Sequence, residues 1–216
     1  MSRIFSNGSG SDFVINPFER LIAGAAQLSL AAPYFTLADP LLNAVRKGKT
    51  IQLLVGLNAA TSPEALRKVH EVPGLAVRYL TSRFHAKIYI FGETALLGSS
   101  NLTDGGLYAN REAVICLDRP DDADAIEDIR ALFVELWDAG QVLTKEKLES
   151  FGKAHAAARK RAGDPDRDIE DAVGKAEPPN INVRSREKSK ERLFLEGLRQ
   201  LVYEQYRPAF NEVTAI

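Results

Sequence analysis

The chain has 216 residues, of which 45% are hydrophobic and 26% are charged, and its formal net charge is −1 at pH 7. This length suits one sizeable α/β domain with an appendage, and the composition is ordinary for a soluble globular protein. A net charge near zero excludes a protein that binds polyanions through overall charge alone. No apolar run is long enough to span a bilayer, and residues 1–13 lack an apolar signal core, so we expect a cytoplasmic protein with no membrane partner.

The charge is unevenly distributed along the chain. Residues 1–115 contain 11 Lys and Arg against 8 Asp and Glu, whereas residues 116–177 contain 10 against 16. A mildly basic half can still bind nucleic acid through a local patch, and ordinary solvated surfaces explain the acidic stretch equally well.

The first half of the chain alternates between strand and helix patterns. We expect residues 1–12 to be flexible and residues 13–15 to form a short strand. Helices are predicted where a capping residue or a proline precedes an apolar face, starting at Asn16, Asp39 and Ser62. Strands are predicted at the buried apolar runs 28–32, 50–57 and 75–80. This alternation predicts an α/β fold in which a mixed β-sheet is sandwiched between helices.

The second half is predicted to be mainly helical. A long amphipathic helix is expected to follow the capping residues 119–122 and to run through Trp137, with a core-facing stripe made of Ile126, Ile129, Leu132, Phe133 and Leu136. Another helix begins near Leu143. We therefore divide the chain into a catalytic domain at residues 1–162, a Pro- and Gly-bearing linker at 163–185 and a C-terminal helical segment at 186–216. The apolar face of that last segment needs a partner, which is the catalytic domain, a second copy or a further domain.

The residues that carry chemistry concentrate between positions 84 and 112. His85 and Lys87 are predicted on one strand, where residues two apart point the same way. The small polar run Gly98-Ser99-Ser100-Asn101 follows a return strand, and Glu112 begins a third strand. A cation, hydroxyls and an amide suit a bound phosphate, and an imidazole beside them can attack phosphorus or transfer a proton. The glycine-bearing loop at 103–110 either approaches a substrate closely or is a plain connection.

This constellation resembles the phospholipase D superfamily, and within it the nuclease-like branch, whose signature is H-x-K, then G-S-x-N, then an acid after a further strand. The resemblance implies that His85 is a nucleophile forming a phosphohistidine and that Glu112 supports it. It implies that Lys87, Asn101 and the serines Ser99 and Ser100 bind the substrate phosphate, with no metal and no other cofactor. An aromatic residue after the 28–32 strand commonly lies near the site in this family, which makes Tyr34 a candidate substrate contact, with core packing as its alternative.

The sequence departs from the family pattern at one position and contains the pattern only once. Many members have Asp five residues after the Lys, where this chain has Gly92. Because nucleases that the chain resembles also lack this Asp, the resemblance implies nucleic-acid phosphodiesters as the substrate in preference to lipid headgroups. The chemistry needs a second proton-transferring group, and His70 and His155 lack an H-x-K context. Family members with a single motif form homodimers, so the resemblance implies two His85 residues sharing one site.

Three functions remain in competition. The leading hypothesis is a metal-independent nuclease that hydrolyses phosphodiester bonds in nucleic acid, with DNA favoured over RNA. The second is a phospholipase D or phosphatidyltransferase. The third, from a different class, is a nucleic-acid-binding module with a degenerate site.

Overall fold

The computed structural model describes residues 3–7, 13–81 and 83–161, and within them one mixed β-sheet is packed between helices. The predicted linker and C-terminal helical segment lie outside the described residues. The strands are β1 (Arg3–Ser6), β2 (Gln27–Ala32), β3 (Thr50–Gly56), β4 (Leu75–Leu80), β5 (Ile88–Phe91), β6 (Thr94–Gly98), β7 (Ala113–Asp118) and β8 (Gln141–Val142). The helices are α1 (Ile15–Gly24), α2 (Asp39–Arg46), α3 (Pro63–Val69), α4 (Ala123–Ala139) and α5 (Lys145–Arg161), with a short π-helix at Gly105–Ala109.

The eight described strands lie in the order β1-β7-β6-β5-β2-β3-β4-β8. Strands β2, β3 and β4 are parallel, and every other pairing is antiparallel. The mixed sheet therefore follows the prediction: helical crossovers connect the parallel strands, and a tight turn connects the antiparallel neighbours β5 and β6. No helix in the described part of the chain is long and apolar enough to cross a membrane.

Each face of the sheet has its own core, because successive strand residues point to opposite faces. In β2, Leu28 and Leu30 point into the larger core beneath α1, α2 and α3, and Leu148 of α5 extends that core. Ala31 points instead into a smaller core on the opposite face, beneath α4. The sheet is thus covered by several helices on one face and by α4 on the other.

Helix α4 crosses its face of the sheet diagonally. At its middle, Arg130 forms an ion pair with Glu93 in the β5–β6 turn, 3.2 Å apart. At its end, Arg78 of β4 donates a hydrogen bond to the Trp137 carbonyl at 2.7 Å. The helix buries Ile126, Ile129 and Phe133, whereas Leu132 is 43% exposed. The predicted five-residue core stripe was therefore wrong at Leu132, because the buried stripe is narrower and that side chain lies on its flank.

The structure corrects the predictions for the start of the chain. Residues 3–6 form β1, which pairs with β7, although they were expected to be flexible. Residues 13–15 do not form a strand: Val14 precedes α1, and its N–H donates to Asn7 Oδ1 at 2.9 Å instead of to a strand partner. The two-residue strand β8 was not predicted.

One end of the sheet collects the polar motif residues, and we call it the site end. His85 and Lys87 immediately precede β5, Ser99 follows β6, and Glu112 precedes β7. The H-x-K segment was predicted to be a strand, but the ladder between β2 and β5 stops at Ala31 and Ile88. Beyond Ala32 the neighbouring strand runs into Pro33, which has no N–H to donate to a ladder.

The π-helix supports the polypeptide at the site end. A Cβ placed on Gly106 would lie 2.4 Å from the carbonyl oxygen of Asn101 and 2.7 Å from its nitrogen, so only glycine allows this approach. The Gly106 carbonyl accepts hydrogen bonds from Ser100 Oγ and from the buried Asn7 Nδ2, each at 2.8 Å. The glycine-bearing loop therefore packs against the protein's own backbone at the Gly98–Asn101 run.

We expect Gly106→Ala to destabilise the protein by about 1–3 kcal/mol, because the methyl group forces the Asn101 backbone to move. Gly24→Ala is the matched control, since nothing lies within 4 Å of a Cβ at that position, and we expect a change of less than about 0.5 kcal/mol. Urea unfolding of both variants beside the wild type measures the difference. Equal stability of the two variants would contradict the packing described here.

Candidate active site

The site is built around a lysine and a histidine that differ in exposure. The Lys87 side chain is buried, with 6% of the residue exposed, whereas His85 is exposed at the surface. The Lys87 Nζ atom donates to the backbone carbonyl of His85 at 2.9 Å. This bond folds the lysine back beneath the histidine, so the two side chains meet although they precede β5 rather than lie within it.

The ammonium of Lys87 sits over the face of the His85 ring. Its Nζ atom is 3.1 Å from Nδ1 and 3.2 Å from Nε2. A point so nearly equidistant from both nitrogens lies above the ring, because within the ring plane it would collide with Cε1. The in-plane directions of both nitrogens therefore remain available, one for attack on a substrate and the other for a group that orients the ring.

Burial changes the acidity of this lysine. Removal from water lowers the pKa of the Lys87 ammonium, and the negative charge of Glu112 opposes that shift. A partly dehydrated ammonium attracts a phosphate oxygen more strongly than a solvated one does, because less water screens the two charges. Lys87 is thus placed to bind an anion beside the exposed imidazole.

Tyr34 contacts the histidine from the segment after β2. Its ring meets the His85 ring edge to face, with centroids 6.0 Å apart and planes 75° apart. The segment is fixed by Asn58 Nδ2, which donates to the Pro33 carbonyl at 2.7 Å, and by Thr61 Oγ1, which donates to the same oxygen at 3.2 Å. The half-buried Tyr34 therefore braces the imidazole, and its role as a substrate contact stays a prediction.

Glu112 is held by two neighbours in its own chain. Ser99 Oγ donates to Glu112 Oε2 and accepts a hydrogen bond from the N–H of Ala113 at 3.0 Å. Asn110 Nδ2 approaches Glu112 Oε1 at 3.4 Å. Among the described residues Glu112 thus bonds to Ser99 and Asn110 rather than to His85, and its support of the histidine stays a prediction. Sequence reasoning missed Asn110, whose only signal was its place two residues before the acid.

The two remaining polar motif residues, Ser100 and Asn101, are both inward-facing but differ in their hydrogen bonding. Ser100 is fully buried, and its hydroxyl donates to the Gly106 carbonyl, so it has a structural role, and its contact with substrate stays a prediction. The carbonyl of Ser100 in turn accepts from the buried Tyr89 hydroxyl at 2.6 Å. Asn101 Oδ1 is buried with no hydrogen-bond partner in the described structure. The Asn101 amide therefore keeps unused hydrogen-bonding capacity.

The glycine that departs from the family pattern is remote from this site. Gly92 occupies the turn at the far end of β5 and has a φ of +58°. Five residues of extended chain separate it from Lys87, or roughly 16 Å at the usual rise per residue. The missing Asp therefore removes no group from the neighbourhood of Lys87 and His85.

The other two histidines of the chain are committed to backbone contacts elsewhere. His70 Nε2 lies 3.0 Å from the Leu143 carbonyl, and His155 Nε2 lies 3.0 Å from the Ala59 carbonyl. In the described ranges no group of three or more His, Cys, Asp or Glu side chains is arranged to hold a metal ion.

We compared the sequence and the fold with those of known proteins. Residues 19–137, more than half of the chain, match the sequence profile of a family described as "Cardiolipin synthase, PLD-like domain". No curated protein matches the chain in sequence.

Several solved structures share the fold at low sequence identity. NucT from Helicobacter pylori has a TM-score of 0.56 at 16% identity, with 66% of this chain and 99% of that chain covered. Nuc from Salmonella typhimurium, described as a phospholipase D family member, has a TM-score of 0.53 at 18% identity, with coverage of 67% and 99%. Phosphatidylserine synthase from Haemophilus influenzae has a TM-score of 0.51 at 16% identity, with coverage of 74% and 46%. The matched profile, the shared fold and the H-x-K residues at the site end together show that this chain belongs to the phospholipase D-like family.

Proposed function

We propose that this protein is a phosphodiesterase that hydrolyses nucleic acid, DNA in preference to RNA, through a phosphohistidine formed on His85. The observation that carries the proposal is the buried Lys87 ammonium over the face of an exposed imidazole. This geometry offers a bound phosphate a positive charge and a nucleophile at the same place. Neither the binding of the phosphate by Lys87 nor the attack by His85 requires a metal ion.

The first chemical step follows from that arrangement. Lys87 binds a non-bridging oxygen of the phosphodiester, and the Asn101 side chain donates a hydrogen bond to the phosphate through its amide nitrogen. A ring nitrogen of His85 attacks phosphorus, so that a P–N bond forms while the P–O bond to the leaving strand breaks. The leaving oxygen takes a proton from a general acid. In the second step water attacks phosphorus, the P–N bond breaks, and the former acid accepts the proton of the water.

We propose a homodimer because a single chain does not supply this general acid from its histidines. The chain contains three histidines, and two of them are bound to the Leu143 and Ala59 carbonyls away from the motif. A second His85 from another copy supplies the missing proton donor without any further residue type. A homodimer with a shared site is therefore the arrangement that completes the reaction.

The surroundings of the site suit a chain of phosphates. His85 and Ser99 are exposed, and the exposed side chains Arg83 and Arg111 flank His85 and Glu112 in the sequence. A charged, open rim favours a polyanion over the acyl chains of a lipid. The resemblance of the motif to the nuclease-like branch supports the same substrate class.

The wild type is expected to cleave labelled DNA in excess EDTA, and His85→Ala is expected to abolish the cleavage because it removes the nucleophile. His155→Ala is the matched control and should retain full activity, since that residue contacts only a backbone carbonyl and a neighbouring ring. Gel assays on single- and double-stranded DNA, RNA and phospholipid vesicles measure the outcome. If His85→Ala still cleaved DNA, His85 would not be the nucleophile. If the wild type cleaved only phospholipids, the substrate would be lipid and not nucleic acid.

The pH dependence of kcat/KM should depend on the protonation state of Lys87. Because its pKa lies below the ordinary lysine value of 10.5, the ammonium loses its proton, and kcat/KM should begin to fall, at a lower pH than an ordinary lysine would allow. Lys87→Arg should weaken catalysis but move this alkaline limb to higher pH, since a guanidinium does not titrate there. Circular dichroism over the same range serves as the folding control. An unchanged limb in Lys87→Arg would assign the titration to another group.

A further inference from the structure

A groove opens between α5 and the ends of two parallel strands, and we call it the α5 groove. It has a volume of about 410 Å³, and its sheet side is formed by Leu57, Leu80 and Thr81, at the ends of β3 and β4. These strand ends lie at the site end, because β2 runs parallel to β3 and its ladder with β5 stops at Ile88, next to Lys87. In open α/β sheets, ligands bind in crevices at the carboxyl ends of the strands.

The lining of the α5 groove combines an aromatic ring with polar and small side chains. Helix α5 contributes Lys147, Ser150, Phe151 and Ala154, whose spacing of three and four residues places them on one face of the helix. Phe151 is half-buried, whereas Lys147 and Ser150 are exposed. A ring beside a cation and a hydroxyl suits a ligand that is planar at one point and negatively charged at the next, as a nucleotide is.

The charge of α5 differs from that of the helix before it. Helix α5 contains six Lys and Arg against two Glu, a net charge of +4, whereas α4 contains one Arg against five Asp and Glu, a net charge of −4. At its start, Lys145 lines a separate pocket with Leu75, at the opposite end of β4. The helix therefore runs towards the site end, and its last turn carries Arg159, Lys160 and Arg161 in that direction. These cations attract a polyanion to the α5 groove.

The α5 groove lies a few nucleotides away from the reacting phosphate. Thr81, in its lining, precedes His85 by four positions. Three strand spacings, from β4 over β3 and β2 to β5, separate the groove from Lys87 and correspond to roughly 14 Å. A stacked strand advances about 3.4 Å per nucleotide, so roughly four nucleotides span this distance. A nucleic-acid strand bound at His85 therefore reaches the α5 groove.

We propose that the α5 groove binds an unpaired base of the substrate strand, stacked on Phe151, while Lys147 and the basic end of α5 bind the neighbouring phosphates. This inference rests on the proposed nuclease function and adds a binding site for the strand beyond the cleaved bond. A base that is paired and stacked in a duplex cannot enter a groove on the protein surface, whereas every unpaired base offers a face for stacking. The protein therefore prefers single-stranded substrates and selects no particular sequence through this groove.

Binding of a fluorescent oligothymidylate of about 12 nucleotides tests the groove, measured by anisotropy in the His85→Ala protein so that no cleavage interferes. Phe151→Leu keeps an apolar side chain for the core but removes the ring, and should raise the dissociation constant about fivefold or more at every salt concentration. Lys147→Gln should reduce the salt dependence, lowering the slope of log K against log salt by about 0.7, the share of one phosphate contact on a single strand. Circular dichroism reports folding, and the exposed Lys147 keeps the test decisive if Phe151→Leu unfolds.

Lys145→Gln is the matched control. It removes the same charge from the same helix two residues away, at a position that lines the separate pocket and not the α5 groove. Its salt slope and its affinity for the oligonucleotide should equal those of the parent protein. Groove variants that bind the oligonucleotide as the parent does overturn the inference and leave the chemistry at His85 intact.

Hydrolysis of bis(p-nitrophenyl) phosphate by the same variants with His85 restored separates this inference from the proposed function, because so small a diester reaches His85 without reaching the groove. Unchanged hydrolysis of this diester with a raised KM for single-stranded DNA supports the inference. Equal losses on blunt duplex and single strand overturn it, as do losses confined to phosphatidylserine vesicles, which would assign the groove to an anionic membrane surface. Oligonucleotide binding that depends on Phe151 in a protein that cleaves no diester supports the groove and overturns the proposed function.

Discussion

The contact between the Lys87 ammonium and the His85 ring is the interaction on which the site depends. A lysine that is 6% exposed carries a desolvation cost, and the structure offsets it with the His85 carbonyl and the nearby charge of Glu112. The ammonium contacts the ring and the carbonyl of the exposed His85. The buried position of the cation and the exposed position of the nucleophile are two parts of one arrangement.

That arrangement requires rigid backbone on both sides. On one side, Asn58 and Thr61 fix the carbonyl of Pro33 and with it the ring of Tyr34. On the other, the Gly98–Asn101 run is fixed by Tyr89 and by the π-helix, whose glycine abuts the Asn101 backbone. The hydrogen bonds that hold the site in place are accepted mostly by backbone carbonyls. A methyl group added at Gly106 would collide with the Asn101 backbone.

Much of the fold could be predicted from the sequence, because buried strands and amphipathic helices carry local patterns. Strands β2, β3 and β4 follow their apolar periods, helix α2 begins at the predicted Asp39-Pro40, and helix α3 is capped by the predicted Ser62. Strand β1 could not be predicted in this way, since its stability comes from pairing with β7, about a hundred residues later. Leu132 fits the helical period as well as Phe133 does, and only the diagonal course of α4 separates an exposed residue from a buried one.

The sequence predicted which residues form the site, but not which of their side chains bond to each other. The residue types at positions 85, 87, 99, 101 and 112 indicated phosphate chemistry, and the structure brings all of them to one end of the sheet. Which of two adjacent serines serves the fold depends on side-chain direction. Ser99 turns outward to Glu112, and Ser100 turns inward to Gly106. Loop geometry of this kind has no sequence period. Asn110 was missed for the same reason.

The buried Asn7 links the start of the described chain to the π-helix 99 positions later. Residues 3–6 also pair with β7, so this first strand depends twice on partners about a hundred residues away. Closing so long a loop carries a large entropic cost that only late contacts repay. Two segments far apart in the sequence therefore hold the backbone beside Asn101 together, and neither of them can do so without the other.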